Sequence, residues 1–79
     1  MAKILTSTEH HAAAAEHHEL AAVHHRQASK HYDEKDFARA AHQATLARGH
    51  TQHAVHHGNQ ATRCHIEQYG DEPAQEAVA

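Results

Sequence analysis

Apolar positions along this chain are mostly alanine, and those that recur do so every seven residues. Ala14, Ala21 and Ala28 form one series, and Ala40, Ala47, Ala54 and Ala61 form a second. Seven residues is close to two turns of α-helix, so each series is a narrow ridge along one helix face. Small residues on a ridge let two helix axes approach closely, and a heptad period suits near-antiparallel packing. Between the two series lies the only polar cluster suited to a turn, Asp33-Glu34-Lys35-Asp36. The pattern predicts an all-α fold, with one helix over about residues 6–32, a turn at 33–36 and a second helix over about 37–69. So short a turn makes the two an antiparallel helical hairpin.

The helix ends carry their own signals. Thr6 is placed to be an N-cap, and Glu9 three residues later completes capping-box spacing. From there to Tyr32 there is no Gly or Pro, which allows a helix about 39 Å long. Asp36 is a good N-cap for a helix beginning at Phe37, and Gly70 is expected to end it in the left-handed conformation. Gly49 and Gly58 weaken the second helix, each by about 1 kcal/mol relative to Ala. Gly58-Asn59 could divide it, but the apolar period survives the interruption, so continuity is expected. Residues 70–79 are expected to fray.

Side-chain size limits what such a hairpin can do alone. Ile4, Leu5, Leu20, Val23, Tyr32, Phe37, Leu46, Val55, Ile66 and Tyr69 nearly exhaust the large apolar residues. A core so thin usually needs a metal, disulfides or self-association. Pairing of two hairpins as a homodimer, in a four-helix bundle, is the simplest remedy. Cys64 is the single cysteine and cannot form an internal disulfide, which fits a reducing compartment or a thiol ligand. The N-terminus lacks the apolar stretch of a signal peptide and no segment approaches a membrane span, so a soluble cytoplasmic protein is expected.

Histidine is the residue type that points to chemistry. Thirteen of the 79 residues are histidine. His10-His11, His17-His18 and His24-His25 are doublets seven residues apart, and His31 continues the column. On a helical wheel His10, His17, His24 and His31 fall on one flank of the alanine ridge. His11, His18 and His25 fall on the other, all within about 80° of Ala21. Histidine therefore stands where a bundle would normally carry leucine.

Spacing then says where ligands could meet. Within the first helix no two histidines are three or four apart, so that helix cannot chelate an ion alone. The second helix has His50, His53, His56 and His57, with 50/53 and 53/56 at i,i+3 and 53/57 at i,i+4. Those are usual two-point metal handles. Centring the hairpin on its turn sets residue i opposite roughly 69 − i, good to about one turn. That places His17-His18 opposite His50 and His53, His10-His11 opposite His56 and His57, and His24-His25 near His42. The expected metal ligands are His17, His18, His50 and His53, then His10, His11 and His57, with His24 and His42 beyond.

Three or four imidazoles suit a divalent transition metal such as zinc, copper or nickel. No Glu-x-x-His or His-Glu-x-x-His occurs, so neither a di-iron carboxylate site nor a metalloprotease is indicated. No nucleophile–base–orienter set can be assembled, and an enzyme is not expected. Lys and Arg form no basic block, which speaks against nucleic acid as a partner. The same rings offer a second function. Protonating all thirteen histidines would carry the formal charge from −3 to +10, so the bundle could loosen on acidification. Haem bound by paired histidines is a third option, against which stands the shortage of Leu and Phe to wrap the ring.

Two local likenesses follow. Tyr32-Asp-Glu-Lys-Asp-Phe37-Ala-Arg-Ala-Ala resembles the turn of a tetratricopeptide repeat, without any 34-residue recurrence. Residues 9–70 resemble a group of small bacterial histidine- and alanine-rich helical proteins. That group repeats Ala-Ala-x-x-His-His, followed by segments like Asp36-Phe-Ala-Arg-Ala-Ala-His42-Gln-Ala and Gly49-His50-Thr-Gln-His53-Ala. The resemblance implies a helical hairpin, makes His42, His50, His53 and His57 the matching positions of the second helix, and implies no activity.

Overall fold

A computed structural model of the chain describes residues 5–70. It contains two helices, α1 (Ser7–Asp33) and α2 (Phe37–Tyr69), packed against each other along their length, and no strand among the described residues. The N-terminus of α1 forms where the sequence places it. The Thr6 hydroxyl accepts the Glu9 backbone N–H at 3.1 Å, and the Glu9 carboxylate accepts the Thr6 N–H at 3.4 Å. Two of the donors that a helix start leaves orphaned are thereby satisfied.

A Schellman turn ends α1. The Asp36 N–H reaches back to the His31 carbonyl at 2.8 Å and the Lys35 N–H to the Tyr32 carbonyl at 3.1 Å. Lys35 takes the left-handed conformation this motif requires, with φ 61°. Asp36 then serves the next helix at once, its carboxylate accepting the Arg39 N–H at 3.2 Å. One residue thus closes α1 and opens α2, which makes the connection short and the helices antiparallel.

α2 runs unbroken through Gly49 and Gly58. A Cβ added at either glycine would meet no atom within 4 Å, so neither is there to admit a neighbour. Gly70 departs from expectation. It is right-handed, φ −61° and ψ −23°, and its N–H continues the helical pattern to the Ile66 carbonyl at 2.8 Å. A helix end that keeps its i→i−4 bond has no need of a left-handed stop there. The fraying expected beyond it falls on residues outside the described set.

The core is the two alanine ridges. Ala14, Ala21, Ala28, Ala40, Ala47, Ala54 and Ala61 are the buried residues, and no polar or charged side chain is buried among the described residues. Burying a methyl group contributes about 0.8 kcal/mol, so this seam holds the helices together only weakly. Val23, Tyr32, Phe37, Val55, Ile66 and Tyr69 all remain exposed. Among the described residues no helix is long and apolar enough to cross a membrane.

Candidate metal centre

Adjacent residues on a helix point about 100° apart, so each doublet in α1 divides across the alanine ridge. His10, His17 and His24 turn to the flank shared with the α2 histidines and are half-buried, whereas His11, His18 and His25 are exposed on the opposite flank. On α2, His50 and His57 are half-buried, while His42, His53 and His56 are exposed.

The half-buried rings meet in layers. His10 Nδ1 lies 3.0 Å from His57 Nδ1, and His17 Nδ1 lies 3.1 Å from His50 Nδ1. In the third layer Gln43 stands where a histidine would continue the series, its Oε1 2.6 Å from His24 Nδ1. These contacts put residue i opposite 67 − i, about half a turn from the expected register. His42 therefore does not meet His24. It lies one residue off the seam that Gln43, His50 and His57 follow at seven-residue intervals, and seam position outweighs axial level.

Ring stacking links the layers. His57 stacks on His17 with centroids 5.9 Å apart and planes at 10°, and His50 stacks on His24 at 5.4 Å and 2°. His53 stacks on His17 from the flank at 5.0 Å, and His56 meets His57 edge-on at 5.6 Å. The result is one ladder of rings, His10, His57, His17, His50 and His24, alternating between the helices. His31 lies outside it, its Nδ1 3.6 Å from a Glu34 carboxylate oxygen.

Desolvation and neighbouring rings favour the neutral form of the two α2 members of the ladder, His50 and His57. Partial desolvation lowers the pKa of His50 below its ordinary 6.5, and repulsion from His17, His24 and His53 lowers it further. His57 is lowered in the same way, first by desolvation and then by His10, His56, His17 and His53. In a neutral pair one ring donates its Nδ1–H and the other accepts; moving the donor's proton to its Nε2 frees both Nδ1 lone pairs for a metal without a change of charge.

The same spacing suits a chelate. Two nitrogens each about 2.05 Å from one ion lie about 3.3 Å apart in tetrahedral geometry and about 2.9 Å apart at right angles. The observed 3.0 and 3.1 Å fall between those values. Each pair supplies two ligands, and among the described residues no group of three or more His, Cys, Asp or Glu side chains is placed to hold an ion.

Of the residues expected as ligands, the structure brings together His10, His17, His24, His50, His53 and His57. It leaves His11, His18 and His42 exposed, without a ring contact or hydrogen bond among the described residues. Cys64 is half-buried and in no disulfide. Sequence reasoning missed Gln43, although its place seven residues before His50 was a usable signal. Comparison with protein-family models, with curated proteins and with solved structures found no match, so the resemblance noted from the sequence gains nothing from them.

Proposed function

We propose that this protein binds a divalent transition metal, zinc, copper or nickel, through histidine pairs drawn from both helices, for buffering, storage or sensing in the cytoplasm. The observation that carries this reading is the pair of cross-helix Nδ1···Nδ1 contacts at chelating distance. His10 with His57 and His17 with His50 are the primary ligands, with His53 beside the second pair. His24, held by Gln43, is secondary, and His11, His18, His25 and His42 are peripheral. Self-association of the hairpin into a four-helix bundle belongs to the same reading, because the alanine seam alone leaves the large apolar side chains uncovered.

Elemental analysis and metal titration of untagged protein test the proposal. Replacing His17 and His50 with Ala should remove more binding than replacing His18 and His25, since only the first two share a layer. Equal losses would refute the pairing, and absence of binding by the native chain would refute the function.

A second reading is a proton-responsive hairpin, favoured by the lowered pKa values of His50 and His57 among neighbouring imidazoles. Protons and metal compete for the same lone pairs, so the two functions are coupled. Light scattering between pH 7 and 5 in metal-free buffer separates them, because only this reading requires loosening or dissociation without metal.

A further inference from the structure

The histidine pairs are half-sites. Each offers two nitrogens, no third ligand completes a group within one chain among the described residues, and a closed imidazole site on zinc takes four. The missing ligands must come from outside the hairpin or be water.

The face that carries the pairs indicates what covers it. On a helical wheel the flank shared by the two pairs, over residues 10–27 of α1 and 43–64 of α2, holds only His, Ala, Leu, Gln and Cys. No Asp, Glu, Lys or Arg lies on that stretch, which Glu9 and Arg39 bound at its ends, and Leu20 and Leu46 are half-buried there. The opposite flank differs, with Arg48 exposed on it. An acidic or basic partner would find nothing to pair with on the histidine flank. A second copy of the same uncharged surface would meet no repulsion and no unpaired ion, as a self-complementary two-fold contact requires.

We propose that a second copy of this chain completes the centres: a transition-metal ion sits between two hairpins and takes one histidine pair from each. The two layers lie about 10.5 Å apart along the helices. A two-fold axis can set each layer on its own equivalent or on the neighbouring one. Either arrangement gives four imidazoles per ion, one ion per chain and two ions per dimer. Metal binding then becomes the event that assembles the bundle, and dilution or chelation takes it apart. This inference rests on the metal-binding reading but can fail without it.

The test uses untagged full-length protein in sedimentation equilibrium, with EDTA and then with one equivalent of zinc. Copper(II) electron paramagnetic resonance is recorded in parallel, because its superhyperfine pattern counts coordinated nitrogens. The expected result is a mass that doubles on adding zinc, with four nitrogens on copper. Zinc or copper bound without a change in mass overturns the inference and leaves metal binding by the histidine pairs standing without metal-driven assembly. No bound metal overturns both. The His17→Ala/His50→Ala variant, checked for helix content by circular dichroism, should lose at least half of the metal per chain. Full retention of metal by a folded variant also overturns the inference.

Discussion

Replacing Gly49 and Gly58 with alanine tests whether α2 is one continuous helix with open space at both positions. Each glycine lies inside the helix and has no heavy atom within 4 Å of where a Cβ would stand. The substitution therefore adds helix propensity without a clash, and in a helix interior that is about 1 kcal/mol per site. Nine residues separate the two, about 13.5 Å along the axis, so the effects should add to about 2 kcal/mol. For a chain of this size that raises the melting temperature by roughly 8–16 °C. The assay is thermal melting followed by circular dichroism at 222 nm, in EDTA, for each single variant and the double. Metal titration of the folded variants should be unchanged, because neither glycine takes part in a ring contact. A fall in melting temperature, or no rise in the double variant, would contradict a straight α2 with open space at both glycines. It would mean either that the helix bends at these glycines or that another surface occupies the space beside them.

Stability should fall with pH. The folded pKa values of His50 and His57 lie below the unfolded 6.5, so the unfolded chain takes up protons first. The associated stability is present above 6.5 and is lost as pH drops through it toward the folded values; a melting temperature flat across this window would refute the desolvation and mutual repulsion of these two rings. Gln43→His should add a third cross-helix pair with His24 and raise metal per chain by half, and a titration with unchanged stoichiometry would contradict the layer geometry. Lys35→Gly should stabilise the hairpin by up to about 1 kcal/mol, since it removes a side chain from a left-handed residue at the cost of some unfolded-state entropy. Chemical denaturation measures that difference, and a loss of stability would show that the turn depends on the lysine side chain.

Local signals made the fold legible. Capping at Thr6 and Asp36 acts within four residues, and the alanine period repeats over the whole of both helices, so the helix bounds and the antiparallel hairpin follow from the sequence. What local signals cannot supply is the relative rotation and sliding of two helices. The rotation of α2 puts Gln43 rather than His42 on the seam, and rotation about the ridge decides which member of each doublet turns inward. His18, named beside His17 from axial level alone, therefore lies on the far flank. Lys35 was legible as part of a turn but not as its left-handed residue, because neither Gly nor Asn marks the position.

The alanine seam also acts as a gauge. Methyl groups leave almost nothing to compress between the backbones, so the seam fixes one gap along the whole hairpin, and every imidazole rung spans that gap. A bulkier residue at Ala47 or Ala54 would widen it and lengthen several rungs together, including those a layer away. Histidines that look like separate ligands therefore share a single mechanical setting, held by residues with no donor atoms of their own.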